Sequence, residues 1–136
     1  MKPDTFITAQ LAELAIQEGA RHGGLHNMVA VAMVMKNRAE AGWYGGDWME
    51  LLRNHQARAG TLYEQLPINL RDTSVRQFLQ RIDDIFDGSE DFDLTDGALF
   101  YCELNQVDGD WFKQNVLTDR EEHPLCATVG PVAFFK

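Results

Sequence analysis

An acidic residue beside a glycine-rich break is the feature of this chain best suited to chemistry. The segment reads Glu18-Gly19-Ala20-Arg21-His22-Gly23-Gly24. The acid falls on an apolar stripe with the periodicity of one helix face, and the stripe consists of Ile7, Leu11, Leu14 and Ala15. Glu18 is therefore predicted to lie on the face of the helix that turns towards the core.

Two consequences of this position favour the uncharged carboxyl. We expect Asp4 or Thr5 to cap the helix at its start. Gly19 or Gly23 should end it, which places Glu18 in the last turn. Partial burial and the negative end of the helix dipole both disfavour a charged side chain there. A carboxyl that keeps its proton near neutral pH is what a general acid needs, so this residue is our candidate catalytic acid.

A metal site is the competing interpretation of the same segment. Its donors would stand four residues apart, at Glu18, His22 and His26. His123 or Cys102 could complete a zinc shell. The Gly23-Gly24 pair breaks the helix that this spacing requires. We therefore expect neither a metal nor another cofactor.

Length and charge limit the classes to which the protein can belong. The chain has 136 residues, which predicts one domain over residues 1–136. Its net charge of −9 comes from 21 acidic and 12 basic residues, and it has no basic cluster to bind a nucleic acid or an anionic membrane surface. No apolar run reaches the roughly 20 residues of a membrane span. The N-terminus has no apolar signal segment, so we expect synthesis in the cytoplasm without a signal peptide, and we expect a monomer.

The apolar run that follows the break predicts a buried helix at the centre of the fold. Residues 28–35 are all apolar, and the continuation through polar residues to Gly42 favours a helix over a strand. We place this helix at 28–41, with Asn27 as its cap. Asp47, with Glu50 three residues later, resembles a capping box that opens a further helix through Leu52.

Beyond this helix an unclear stretch is followed by a strongly helical one. Residues 53–72 give mixed signals and are predicted to be mostly loop. A helix capped by Thr73 or Ser74 and ended by Gly88 then follows. Its apolar stripe is complete and consists of Val75, Phe78, Leu79, Ile82, Ile85 and Phe86. The acidic residues between positions 83 and 96 are interpreted as a solvated rim.

The last third of the chain changes from helix to strand. Residues 97–103 and 127–135 each predict a strand, and we expect the two runs to pair as a small antiparallel sheet. A short helix or turn is expected at 110–115. Cys102 lies in the first run and Cys126 directly precedes the second; we expect two buried thiols, and a disulfide stays open if the strands pair. The predicted fold class is therefore α+β, mainly helical, with a buried central helix.

Both ends of the chain carry a resemblance to a known family. Glu18-Gly19-Ala20-Arg21, followed by Met28-Val29-Ala30-Val31-Ala32 and Asn37-Arg38, resembles the opening of the SleB-like cell wall hydrolases, the catalytic domains of spore-cortex-lytic enzymes. Asp96-Gly97-Ala98-Leu99-Phe100-Tyr101 is similar to the family's Gly-Ala-Leu-Tyr-Tyr strand, and residues 127–135 are similar to its closing strand. One departure concerns the acid, because the family's catalytic Glu directly precedes Ala-Arg, whereas Gly19 intervenes here.

The resemblance implies a lysozyme-like domain that cleaves the glycan strands of peptidoglycan between N-acetylmuramic acid and N-acetylglucosamine. Glu18 would be the single general acid and base of a lytic transglycosylase or muramidase. Arg21, Tyr101 and Asn105 are the substrate-lining candidates. If the insertion of Gly19 has removed the catalytic acid from the site, the alternative is a non-catalytic cell-wall-binding or phage structural protein that retains the fold. Either would reach the wall after release, as a phage-encoded endolysin does.

Overall fold

The computed structural model describes residues 2–22, 24–62, 68–90, 92–103 and 121–136. The described part is mainly helical, with one small antiparallel sheet, as the sequence predicts. The helices are α1 Thr5–His22, α2 Leu25–Glu40, α3 Trp48–Leu62 and α4 Thr73–Asp87, and a short 3-10 turn spans Trp43–Gly46. The strands are β1 Phe100–Glu103, β2 Leu125–Val129 and β3 Val132–Phe135. The turn or helix predicted at 110–115 lies outside the described residues.

Helix α2 is the centre of the fold, and its predicted burial is confirmed. Every residue from 28 to 35 is buried, and both α1 and α4 pack against the helix. The helix begins earlier than predicted, at Leu25, and its N-cap is Gly24. Asn27 therefore lies within the first turn rather than at the cap. None of the described helices is both long enough and apolar enough to cross a membrane.

Helix α1 starts as predicted but does not stop at Gly19. The backbone N–H of Ile7 donates to Asp4 Oδ1 over 2.8 Å, which confirms Asp4 as the cap. The helix continues through Gly19 and ends at His22, directly before Gly23, so of the two predicted stops Gly23 is confirmed and Gly19 is wrong. The glycine serves packing instead, because a Cβ atom there would lie 2.4 Å from the backbone nitrogen of Met28. The absence of a side chain lets the backbones of α1 and α2 cross in contact.

Gly19→Ala is expected to lower the free energy of unfolding by about 1–3 kcal/mol, as overpacking does. Within a helix, alanine is otherwise more stable than glycine by about 1 kcal/mol, so the sign of the change reports the contact with Met28. Chemical denaturation measures it. Ala20, exposed one position further along, is the control, since Ala20→Gly should cost only about 1 kcal/mol of helix propensity. A Gly19→Ala protein more stable than the wild type would contradict the close crossing.

Helix α3 is longer than the sequence pattern indicates. Asp47 Oδ1 accepts the backbone N–H of Met49 over 2.9 Å, which confirms the predicted cap. The helix then runs to Leu62, so the loop predicted over 53–72 is wrong for its first ten residues. The apolar pattern of α3 is interrupted in the sequence by a polar residue, His55. His55 is buried and continues the spacing of the buried residues before it, Trp48, Leu51 and Leu52.

Of the four described α-helices, α4 has the strongest amphipathic pattern, and it ends before Gly88 as predicted. Its cap is Asp72, one position before the predicted Thr73 or Ser74, because the Asp72 carboxylate accepts the first free N–H groups. The stripe is buried except at one place, since Leu79 is 38% exposed. Including Leu79 in the core is therefore wrong. It lies on the edge of the stripe, beside exposed Leu70 in a shallow apolar groove.

The sheet has the strand order β1-β3-β2, and both pairings are antiparallel. The predicted pairing of 97–103 with 127–135 is confirmed by β1 and β3, with Tyr101 opposite Phe134. The second run is two strands rather than one, because the chain turns at Gly130-Pro131. Cys102 on β1 and Cys126 on β2 are free and half-buried. The intervening strand keeps their backbones about 10 Å apart, beyond the reach of a disulfide.

Candidate functional site

The two chemically important residues named by the sequence meet in the structure. Tyr101, on β1, is 8% exposed, and its hydroxyl donates to Oε2 of Glu18, on α1. The partners are separated by 83 residues in sequence. Glu18 is half-buried, so the contact joins a buried phenol to a carboxyl group near the surface. The site therefore joins the first helix to the sheet.

The ring of Tyr101 is held in one orientation by the core. It stacks on Phe134 of β3 with the ring centres 5.8 Å apart and the planes at 29°. Burial raises the pKa of the Tyr101 phenol well above its usual value, and the adjacent Glu18 carboxylate raises it further. The phenol is therefore neutral at physiological pH and acts as a hydrogen-bond donor to Glu18.

Arg38 lies beneath this pair and is itself buried, with 6% of its surface exposed. Its Nε donates to the carbonyl oxygen of Leu99 over 2.8 Å. One terminal nitrogen lies 3.1 Å from His55 Nε2. The guanidinium carbon also lies 4.7 Å from the centre of the Trp43 ring and 5.9 Å from that of Tyr101. Burial lowers the pKa of Arg38, while attraction by the negative charge of its neighbours acts in the opposite direction.

His55 is the neutral partner of this buried cation. An arginine can only donate, so His55 Nε2 must be the acceptor and the proton of the neutral ring is on Nδ1. Burial, followed by repulsion from Arg38 and then Arg58, lowers the pKa of His55 to about 3. The pair Arg38–His55 thus carries one positive charge at neutral pH. That charge lies on the guanidinium.

The structure predicts that His55 makes the fold sensitive to acid. The pKa of His55 falls from its usual 6.5 to about 3 on folding. Its contribution to the free energy of unfolding is therefore fully present above pH 6.5 and is lost as the pH drops towards 3. One such proton contributes about 1.4 kcal/mol for each pH unit within this range. Denaturant unfolding at pH 7, 6 and 5 should therefore show a shallower decline for His55→Gln than for the wild type. Parallel curves would mean that His55 is charged in the folded protein.

The residue before Arg38 anchors the segment that leads into β1. Asn37 Nδ2 contacts Asp93 Oδ2 over 3.0 Å and the carbonyl oxygen of Ala98 over 3.1 Å. The Asp93 carboxylate also accepts from Thr95 and from the backbone of Gly97. Asp93 is therefore a structural residue, and its assignment to a solvated rim is wrong. Together with Arg38, Asn37 positions the strand that carries Tyr101.

The other predicted site residues are not brought to this contact. Arg21 lies exposed in the last turn of α1, three positions after Glu18. Asn105 lies outside the described residues. Of the proposed metal donors, His26 is exposed and His123 Nδ1 lies 2.7 Å from the Lys136 oxygen. The described residues contain no group of three or more side chains placed to hold a metal ion.

Arg38 and His55 are the site residues that the sequence analysis missed. Their signal is a polar residue at a position where the helix stripe requires burial. Arg38 falls three and four positions after the buried Met35 and Val34. A buried arginine needs hydrogen-bonded partners, and these come from α3 and β1, far away in sequence. No local pattern could name them.

A second concavity lies on the other side of the sheet. It has a volume of about 650 Å³ and is lined in part by Trp43, Phe100 and His123, with Glu18 not among its walls. Neighbouring residues of a strand point to opposite faces, so Phe100 faces this cleft while Tyr101 faces Glu18. This cavity and the Glu18–Tyr101 contact therefore do not coincide. We place the chemistry at Glu18–Tyr101, because an acid held by a buried donor is found there.

The chain was compared with models of protein families, with curated proteins and with solved structures, and none of the three comparisons finds a match. The functional interpretation therefore depends on the geometry of the site and on the motif residues of the chain itself.

Proposed function

We propose that the protein is a lysozyme-like peptidoglycan glycosidase, acting as a lytic transglycosylase or a muramidase, with Glu18 as its general acid and base. The observation that supports this most directly is the hydrogen bond from the Tyr101 hydroxyl to Glu18 Oε2. The two motifs that resemble the cell wall hydrolases each contribute one partner of that contact.

The hydrogen bond gives the two carboxyl oxygens of Glu18 different roles. Oε2 accepts from Tyr101, which leaves Oε1 to carry the transferable proton. In the reaction, Glu18 protonates the glycosidic oxygen and the bond to the muramic C1 breaks, leaving an oxocarbenium-like sugar. The resulting carboxylate then takes the proton of the muramic C6 hydroxyl as O6 bonds to C1. The product is an anhydro sugar, and the acid is restored.

A single carboxyl is sufficient for this route. Hydrolysis by two carboxylates needs a second acid across the bond, about 5–9 Å from the first. In the anhydro route the nucleophile belongs to the substrate, so the enzyme has only to position the sugar and shuttle one proton. The muramidase version differs in the last step, where water replaces the C6 hydroxyl.

The departure from the family motif is compatible with this role. Gly19 remains helical and faces the backbone of Met28, so a side chain at position 19 could not point into a site. Glu18, one position earlier, is turned by about 100° around the helix and meets Tyr101. Glu18 therefore lies next to strand β1, and Gly19 lies where α1 crosses α2.

Two of the substrate-lining candidates lie in the described part of the chain. Tyr101 is buried and donates to Glu18, so we propose Arg21 as the residue that binds the substrate. It lies exposed three positions beyond Glu18, so the two side chains lie on neighbouring parts of one helix face. A guanidinium there suits the carboxylates of the peptide stems that peptidoglycan carries. Asn105 stays a prediction from the resemblance.

Digestion of purified peptidoglycan, followed by mass spectrometry of the soluble products, tests the proposal. We expect muropeptides that end in anhydro-muramic acid, which are lighter by one water than the hydrolysed equivalents. Products with a reducing end would assign the muramidase version instead. If the folded protein releases nothing from several peptidoglycans but sediments with them, the non-catalytic binding protein is the correct interpretation and the glycosidase is excluded.

A further inference from the structure

We propose that the cleft lined by Trp43, Phe100 and His123 is a binding site for an uncharged sugar ring, separate from the acid at Glu18. The choice of a sugar rests on the proposed function, while the residues that define the site take no part in the Glu18–Tyr101 contact. With a volume of about 650 Å³, the cleft lies within the size range of pockets that hold small ligands. It would hold one sugar unit of a glycan strand without cleaving it.

Three aromatic rings from three parts of the chain line this cleft. Trp43 belongs to the 3-10 turn, Phe100 belongs to β1, and His123 lies two residues before β2. The ring centres of Trp43 and Phe100 are 5.5 Å apart, and those of Phe100 and His123 are 5.0 Å apart. All three residues are half-buried, so part of their ring surface stays open to a ligand. A pyranose ring carries C–H groups on its faces, and aromatic rings offer the apolar surface that such groups need.

The Trp43 ring is held in place by its neighbours. The guanidinium carbon of buried Arg38 lies 4.7 Å from the ring centre, and Tyr44 packs edge-on against the same ring. Tyr44 has a φ of 55°, a left-handed conformation that residues other than glycine seldom adopt. Backbone strain of this kind is concentrated at ligand-binding and active sites, and it persists only where the surroundings enforce it. The turn therefore presents Trp43 to the cleft in a fixed position.

The charged residues at the cleft favour an uncharged ligand over an ionic one. Glu40 and Glu122 line it together with Lys136. Glu40 Oε1 also lies 3.5 Å from Lys36 Nζ, so two carboxylates and two ammonium groups lie at or beside the cleft. Sugar hydroxyls can donate to the carboxylates and accept from an ammonium group. His123 Nδ1 donates to the Lys136 oxygen over 2.7 Å, which makes Nε2 of the neutral ring a further acceptor.

Titration of the isotope-labelled protein with a linear tetramer of N-acetylglucosamine, followed by nuclear magnetic resonance, tests the inference. We expect the signals of Trp43, Phe100 and His123 to shift, and the affinity is measured from these signals. Phe100→Leu keeps an apolar side chain on β1 but removes the flat ring, so it should weaken binding by about 10-fold. Phe6→Leu makes the same change at an exposed residue of α1 outside the cleft, and its affinity should equal that of the wild type.

Three results would overturn the sugar site even in a protein that cleaves peptidoglycan. They are no shifts with the tetramer, shifts at Glu18 and Tyr101 alone, and equal binding by Phe100→Leu and the wild type. Tetramethylammonium chloride is the comparison probe. If it shifts the signals of the cleft and the tetramer does not, the cleft binds cations and the inference is wrong. Should Phe100→Leu fail to fold by circular dichroism, His123→Ala is the second variant, with the same expected loss of affinity.

The proposed function can fail separately from this inference. Tetramer binding at the cleft of a protein that is inert on peptidoglycan supports the sugar site and rejects the enzyme. If the wild type is active, Phe100→Leu should raise KM for soluble glycan strands and leave kcat unchanged, because the cleft binds sugar away from the reacting bond. A fall in kcat with an unchanged KM would contradict a site that only binds.

Discussion

Replacing Glu18 with glutamine is expected to lower the rate of peptidoglycan cleavage by about 100-fold or more, the usual scale of general acid catalysis. Glutamine keeps the size of the side chain, and its carbonyl oxygen can still accept from Tyr101. It cannot donate a proton to a glycosidic oxygen. The measurement is the rate of release of soluble muropeptides at a fixed protein concentration, with the fold checked by circular dichroism.

Glu13→Gln is the matched control, because Glu13 lies exposed on the same helix, five positions earlier. It removes the same charge from α1 but leaves the contact with Tyr101 intact, so activity should be unchanged. A well-folded Glu18→Gln protein with wild-type activity would reject Glu18 as the acid. Equal losses in the two variants would show that the net charge of α1, rather than a particular carboxyl group, limits the rate.

Truncating Ile82 to alanine is expected to lower the free energy of unfolding by about 2–5 kcal/mol, as the loss of a buried isoleucine does. Ile82 is 6% exposed on the core face of α4, where the helix packs against α2. The loss combines the transfer energy of the removed carbons with the cavity left behind. Denaturant unfolding gives the change as a shift of the midpoint, provided that the slope of the transition is the same in both proteins.

The control for this substitution lies one turn away on the same helix. Leu79 is 38% exposed, so Leu79→Ala removes a side chain of similar size from a position that solvent reaches. We expect a loss below about 1 kcal/mol there, since changes at the surface are small. Losses of the same size at the two positions would mean that the face of α4 turned to the core has been misidentified.

The parts of the fold that could be predicted are those whose structure is determined by residues within a single segment. A cap such as Asp47 satisfies N–H groups two residues away, and it is visible in the sequence for that reason. The run 28–35 leaves no polar face for water, so burial follows whatever the rest of the chain does. The two strand runs, 97–103 and 127–135, pair because each is too apolar to remain alone.

The parts that could not be predicted depend on partners distant in sequence. Gly19 reads as a helix stop, yet it is a contact point, because the backbone of Met28 occupies the space of its missing side chain. His55 reads as a break in an apolar pattern, yet it accepts a hydrogen bond from a buried arginine. Asp93 reads as part of an acidic surface, yet Asn37 binds it. In each case the physical reason lies on another element.

The candidate site divides along the same line. Glu18 could be chosen because its own helix places an acid on an apolar face. Tyr101 could be chosen only through a resemblance, since nothing in its neighbourhood indicates a partner 83 residues away. Arg38 carried a usable signal in its position, and the neutral acceptors that permit its burial are a property of the assembled fold.

The strand order has a consequence for the time at which the site comes into being. The middle strand of the sheet, β3, is the last of the three to leave the ribosome. Strand β1 pairs with β3 and not with β2, the strand that follows it in sequence. The helices can meet earlier, because they precede the strands in the chain. Until Phe134 arrives, Tyr101 lacks the ring on which it stacks. We therefore expect that Tyr101 becomes fixed opposite Glu18 only after the central strand of the sheet has been synthesised.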